Sequence, residues 1–327
     1  MIFQYNKYIF NIKFKQKIVF NTLPSFIFRN NIGFQLRKIV CVLRNSDCSV
    51  CILNATCIYP LMFETPIDKN NSFLKGRNRA PHPYVIYSEA KPEEKLDGLN
   101  LEIILIGSGI KYFPYIILAI MNVGKTGILR KRVQFDVEDI ISQGISVISK
   151  ETNSVENTPP LTWELDLDMD AVINKNKLDD DDRSEGNAQK IREIKIDFLS
   201  PLRIKRDGRY VSDIIYKDII QATIRRIEIL NSLFGSGGLN FDSDFINNVA
   251  ENKKFKAELK WVDYERYSAK QKHSMQMGGI VGCAYVSGSF SNVELSLLRA
   301  AELFNIGKNV SFGLGRVRFH NLISIDK

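Results

Sequence analysis

The first twenty residues alternate, with Tyr8, Phe10, Ile12 and Phe14 interleaved with Lys7, Asn11, Lys13 and Lys15. This two-residue period predicts a strand with one buried face. After a turn at Leu23-Pro24-Ser25, apolar positions at Ile32, Leu36, Ile39 and Val40 predict a short helix over 28–42, with Arg29, Arg37 and Lys38 on its outer face. Strands are expected at 84–88, 99–106 and 132–137, and an apolar helix at 112–123 before Gly124. Periodicity fades around 153–160 and 174–187. It returns with a strand at 195–198 and a long helix at 213–234 that lines Ile215, Ile219, Ile224, Ile227, Leu230 and Phe234 along one side. Strands at 255–264 and 280–290, a helix at 292–304 and a strand at 315–321 complete the pattern. The order β-α-β-β-α-β is that of a ferredoxin-like unit, and the N-terminal half repeats it more loosely. The expected class is α+β, with tandem ferredoxin-like (RRM-like, βαββαβ) domains. These are residues 1–150 with a Cys-rich insertion at 41–60, an acidic linker or excursion at 151–190, and residues 191–327 with a glycine-rich loop.

Composition narrows the partner. A chain of 327 residues with 44% apolar and 25% charged residues can build real cores, and it is neither disordered nor a disulfide miniprotein. The net charge of +8 is unevenly spread: residues 1–45 carry eight bases and no acid, whereas 164–185 carry nine acids and three bases. A polyanion would meet the basic parts, with nucleic acid and an anionic membrane surface as the competing readings. The most apolar stretch, 101–121, is broken by Glu102, Lys111 and Pro114, too early for a membrane span. Lys7, Lys13, Lys15 and Lys17 likewise break up any secretory apolar core. No membrane partner and a cytoplasmic location are therefore expected.

Three constellations carry candidate chemistry. Gly307, Lys308, Gly313, Gly315, Arg316 and Arg318 fall between the last helix and last strand. Glycines let a main chain approach phosphate closely while the bases supply charge; an ordinary glycine-rich turn has the same spacing. Arg266, Lys270, Gln271 and Lys272 interleave with Tyr264 and Tyr267 between two predicted strands, a composition that suits single-stranded nucleic acid and equally an exposed polar hairpin. Cys41, Cys48, Cys51 and Cys57 form C-x6-C-x2-C-x5-C, which points to a structural zinc or an iron–sulfur cluster, with four reduced cysteines as the alternative. Cys283 stands alone in a strand and reads as core. Of the three histidines, His82, His273 and His320, each is a possible proton-transfer group or an ordinary surface or core residue.

Four segments then converge. These are Leu23-Pro24 followed by Arg29 to Arg37; Cys48-x2-Cys51-x5-Cys57-Ile58-Tyr59 running into Phe63-Glu64; Arg266-Tyr267-Ser268 with Gln271 and Met277-Gly278-Gly279; and Ile306-Gly307-Lys308 with Ser311-Phe312-Gly313-Leu314-Gly315-Arg316. Together they resemble the CRISPR-associated pre-crRNA-processing endoribonucleases of the RAMP superfamily, in particular the subgroup with a cysteine cluster after the first helix. The resemblance implies CRISPR repeat RNA as partner, other CRISPR effector subunits as further partners, and cleavage by ribose 2′-OH attack with no cofactor for catalysis. It also implies a catalytic His on or near the first helix, where this chain has none; Asn305 stands where relatives often carry a further His. His273 and His82 are the catalytic candidates, with Tyr267, Lys38 and Arg37 as auxiliaries. Arg29, Arg266, Lys270, Gln271, Lys272, Gly307, Lys308, Gly313, Gly315, Arg316 and Arg318 are the expected RNA contacts. The alternative is a catalytically silent subunit that binds repeat or guide RNA. A zinc-stabilised DNA-binding module is the reading from another class.

Overall fold

A computed structural model describes residues 2–44, 47–65, 74, 80–149, 154–156, 158–165, 193–236, 241–251, 253–268 and 273–322. Most of the acidic 164–185 segment, and Lys270, Gln271 and Lys272, lie outside the described residues.

The N-terminal half contains strand β1 (Ile2–Val19), helix α1 (Pro24–Val40), β2 (Tyr84–Tyr87), β3 (Lys95–Ile106), α2 (Phe113–Thr126) and β4 (Phe135–Ser142). The strands pair in the order β2-β3-β1-β4, with β5 (Leu161–Glu164) joined to the start of β1. This is the ferredoxin-like arrangement. The alternation read from β1 holds: Tyr8, Phe10, Ile12 and Phe14 are buried with Ile32 and Leu36 of α1 and Ile116 and Ile120 of α2 in one core.

The second half repeats the plan with β6 (Glu193–Leu202), α3 (Tyr216–Phe234), α4 (Ser243–Glu251), β7 (Lys254–Val262), a hairpin of β8 (Glu265–Ser268) and β9 (His273–Gln276), β10 (Gly279–Ser287), α5 (Asn292–Phe304) and β11 (Val317–His320). Its four-stranded sheet runs β7-β10-β6-β11. Ile194, Ile196, Phe198, Ala284, Val286, Val317 and Phe319 face α3 and α5 in a second core. That core extends into the first half through Phe3, Val85, Ile104, Ile106 and Trp163. Phe304 anchors the join, with Phe3 and Tyr5 ring centroids at 5.1 and 5.3 Å.

Several expectations are corrected. Pro24 occupies the first turn of α1, where its missing N–H costs nothing, so the helix starts four residues before 28 and ends at Val40. Ile215 caps α3 and is exposed rather than core-facing, because Asp218 bonds its backbone N–H in the first turn. The 132–137 strand begins only at Phe135, since Arg132 sits at φ 50° in a turn closed by the Ile128–Val133 bridge. Cys283 is half-buried on the open face of the second sheet rather than core. Helix α4, strand β5 and the two strands of the β8–β9 hairpin were not separated by periodicity: each has nine residues or fewer.

Candidate nucleic-acid interface

The two halves meet at the start of α1. Ser25 Oγ donates to the Phe312 carbonyl at 2.8 Å, and Thr22 Oγ1 donates to the Glu265 carbonyl at 3.0 Å. These bonds fix the C-terminal loop and the β8–β9 hairpin on either flank of the helix. The glycines of the loop serve this docking. Gly313, at φ 87°, lets the chain pass where a Cβ would stand 2.6 Å from Ser25 Oγ and 2.7 Å from the Ile86 carbonyl. Gly315, at φ 72°, leaves room for the Ile306 carbonyl 1.8 Å from where its Cβ would be. Both glycines thus fit the chain closely against protein carbonyls. Gly307, at φ 83°, packs in the same way on the Arg203 carbonyl, to which Lys308 N–H donates at 3.0 Å.

The docking brings Arg29 of α1 and Arg266 of β8 to one aromatic ring. Their guanidinium carbons stand 4.3 and 4.1 Å from the Phe312 ring centroid. Arg266 also donates to Asn30 Oδ1 at 3.3 Å and to Met275 Sδ at 3.8 Å. The Nε atoms of both arginines are buried and have no hydrogen-bond partner among the described residues. Burial, and then the Arg29 charge, lower the Arg266 pKa to about 10. Two cations are thus held together with their Nε donors unspent, an arrangement chemically suited to an anion.

A row of rings extends from this pair. Arg29 lies 5.2 Å over Phe63, which stacks on Tyr59 at 5.8 Å and tilts against Tyr84 at 5.2 Å. Gly33, one turn after Arg29, makes room for Phe63, whose ring lies 2.9 Å from the position a Cβ would take. Burial pushes the Tyr84 phenol up, against the pull of the Arg29 and Arg266 charges. His82 stacks on Tyr84 at 5.6 Å and shares a 3.1 Å hydrogen bond between Nδ1 and Thr65 Oγ1. Arg37 lies 5.6 Å over Tyr59, and Lys38 is exposed with its ammonium 4.5 Å from the Phe34 ring.

In the hairpin, Arg266 pairs with Met275, Tyr267 with Ser274 and Ser268 with His273. Opposed residues share a face and neighbours alternate, so position 273 lies on the same face as Arg266 and position 267 on the other. The side chains of Tyr267 and His273 lie outside the described residues.

Other candidates are engaged elsewhere. Arg316 donates to the Glu302 carbonyl at 2.8 Å, pairs with Glu102 at 3.0 Å and lies 5.2 Å over Tyr87, so it ties the two halves together. Arg318 is exposed and pairs with Glu89 at 2.9 Å. Asn305 is fully buried and donates to the Leu314 carbonyl at 3.1 Å, which makes this position a support of the loop. Among the described residues no three His, Cys, Asp or Glu side chains are placed to hold a metal. Cys41, Cys48, Cys51 and Cys57 are all free thiols. Burial, then Glu64, pushes the Cys48 thiol up. Asp47 caps the Cys48–Val50 turn and Asn54 Nδ2 bonds the Cys48 carbonyl at 2.6 Å, so side-chain to backbone bonds hold this segment's shape. Sequence reading missed the joint role of Phe312. An aromatic residue inside a glycine-rich loop was its only signal.

Residues 196–317 match the family model of the CRISPR-associated endoribonuclease Cas6. This segment is similar to the Cas6 endoribonucleases. Residues 3–160, ahead of the Cas6 match, fit the AF_1859_N model, described as an N-terminal domain. An uncharacterised Archaeoglobus fulgidus protein is 25% identical over 308 residues, covering 91% of this chain and 93% of its own length. Among solved structures, the fold is similar to a Thermus thermophilus Cas6 (10% identity, 97% of this chain, 98% of that one, TM-score 0.53). It is also similar to a Cas6 in a product complex (12%, 98% and 100%, TM-score 0.50). A chain of a partial Cas6-RT-Cas1–Cas2 complex matches at 15% identity and a TM-score of 0.57, over 97% of this chain and 46% of that one. The Cas6 match spans Arg203 through Arg316, so it contains Arg266 and Phe312, while Arg29 comes from the N-terminal match. No helix among the described residues is long and apolar enough to cross a membrane.

Proposed function

We propose that this chain cleaves CRISPR repeat RNA by metal-independent attack of a ribose 2′-OH on the adjacent phosphate. The observation that carries the reading is the meeting of Arg29 and Arg266, from the two halves, on the Phe312 ring with buried Nε donors unspent. Repeat RNA as the partner is supported by the Cas6 family match.

In the reaction a base takes the proton of the 2′-OH and the 2′-oxygen forms a bond to phosphorus. The bond from phosphorus to the 5′-oxygen then breaks, and an acid protonates the departing 5′-oxygen. The products are a 2′,3′-cyclic phosphate and a 5′-OH. Arg29 and Arg266 bear the charge that grows on the non-bridging oxygens, a task suited to preorganised donors with planar forks. Proton transfer falls to His273, favoured by its register position on the Arg266 face, with His82 behind it at the end of the ring row. His320 is set aside because Asp197 holds its Nε2 at 2.6 Å on the far sheet. Arg37 and Lys38 extend the cationic face of α1 along the bound strand, with Lys270, Gln271, Lys272, Lys308 and Arg318 as further contacts.

A second reading, a silent RNA-binding subunit, is favoured by the lack of any His in α1. Association with other CRISPR proteins fits either reading. End-labelled repeat RNA incubated in EDTA separates them. Cleavage that a 2′-deoxy nucleotide at the cut site abolishes supports the nuclease. Tight binding without cleavage supports the subunit.

A further inference from the structure

The second sheet has one face under α3 and α5 and one face open. The hydrogen-bonded register places a single row of side chains across all four strands of the open face: Lys256 of β7 opposite Tyr285 of β10, Tyr285 opposite Lys195 of β6, and Lys195 opposite His320 of β11. Tyr285 is 37% exposed. On the edge strand, Lys254, Lys256 and Lys260 alternate onto this same face, and none of them has an ion pair among the described residues. The acid nearest the centre, Asp197, is neutralised by Lys195 at 2.9 Å and His320 at 2.6 Å. Glu193 accepts from Ser287 at 3.1 Å at one margin, and Glu258 is the remaining acid. The corresponding face of the first sheet is not free, because Phe3 and Tyr5 pack there on Phe304.

We propose that this open face binds single-stranded RNA, with a base stacked on Tyr285 and the backbone running over Lys256 and the neighbouring edge-strand lysines. An aromatic ring beside the unpaired lysines of the edge strand supplies both attractions that single strands use: stacking, which every base offers, and neutralisation of phosphate. Strands about 4.8 Å apart put Lys256 beside the ring, within reach of the phosphate flanking a stacked nucleotide. The surface shares no residue with the Arg29–Arg266 pair. It rests on the repeat-RNA reading only for the identity of the strand in the cell.

The test uses the full chain with a fluorescein-labelled ten-nucleotide oligouridylate carrying 5-iodouridine, read by anisotropy and by mapping photocrosslinked peptides. Adducts are expected within 279–287. Tyr285→Ala should weaken binding about tenfold, the loss of one stacked base. Tyr285→Phe should bind as the parent does, and Lys256→Ala should lower the salt slope by about one. Because Tyr285 is exposed, its replacement leaves the core intact, and far-ultraviolet circular dichroism checks this. Adducts confined to α1 and the hairpin, unchanged affinity in Tyr285→Ala, or equal competition by duplex RNA would overturn the proposal while leaving the nuclease reading in place. Failure of the parent to bind both the oligouridylate and repeat RNA would overturn both.

Discussion

Replacing Arg266 with Met should stabilise the free protein and weaken it as an RNA binder. The folded-state pKa of Arg266 is lowered from 12.5 to about 10, which, allowing for solvent screening of a half-exposed group, costs the charged form about 2–3 kcal/mol. The sign follows from linkage: a cation with a depressed pKa is protonated in both states below pH 10, so the full cost is present at pH 7 and is relieved only as pH rises through the folded value. Against this, Arg266→Met loses a cation–π contact with Phe312, about 1 kcal/mol, and weak bonds to Asn30 and Met275, about 1 kcal/mol together. Met fills a similar volume and keeps a sulfur contact with the ring. The balance is a gain of at most about 1 kcal/mol in urea denaturation. On repeat RNA the lost charge-assisted phosphate contact is worth about 1.5–3 kcal/mol, a 10- to 100-fold fall in affinity, with a salt slope smaller by about one. Arg266→Lys should recover part of the affinity but not the forked geometry. If Arg266→Met instead loses 2 kcal/mol or more of stability and keeps its affinity, the arginine pair is a structural feature and not an anion site.

Gly315→Ala should cost about 2–4 kcal/mol in a thermal or urea melt, because its Cβ would meet the Ile306 carbonyl at a backbone φ of 72°; an unchanged melt would show that the loop relaxes freely. Lys253→Met should cost about 3 kcal/mol by leaving Glu294 buried without its 3.0 Å partner. Burial already raises the Glu294 pKa, and losing Lys253 raises it further, so the defect should shrink as pH falls toward 5; a pH-independent defect would contradict this. Burial raises the Asp197 pKa, but the bonds from Lys195 and His320 outweigh it and hold the carboxyl below its usual value. Its contribution is therefore present above the unfolded carboxyl pKa and lost on acidification through the folded one, a limb that Asp197→Asn should remove from the pH–stability curve.

Much of the fold was legible because long elements carry strong periods. The alternation from Tyr8 to Phe14 and the Ile219–Leu230 stripe of α3 each fix a face and an element type. The α5 boundaries follow from its capping box, in which Ser291 Oγ accepts from the Glu294 N–H. What periodicity cannot carry is contact between distant segments. Arg29 and Arg266 were each visible as bases, but their meeting depends on Phe312, which a loop places through Ser25 and two positive-φ glycines. For the same reason Arg316 was visible as a base, but its ion pair with Glu102, more than two hundred positions away, was not. The cysteine segment shows the same limit: its spacing was legible, but the side-chain to backbone bonds from Asp47 and Asn54 that shape it were not.

The central claim is that the two arginines hold the phosphate at which a 2′-OH attacks. Its most direct test is single-turnover cleavage of end-labelled repeat RNA in EDTA by the parent, Arg29→Ala and Arg266→Ala, each with and without a 2′-deoxy nucleotide at the mapped cut. The account predicts a cyclic-phosphate product from the parent, a rate reduced about 100-fold or more in either variant even at saturating protein, and no product from the deoxy substrate. Cleavage of the deoxy RNA, or parental rates in both variants at saturation, would contradict it.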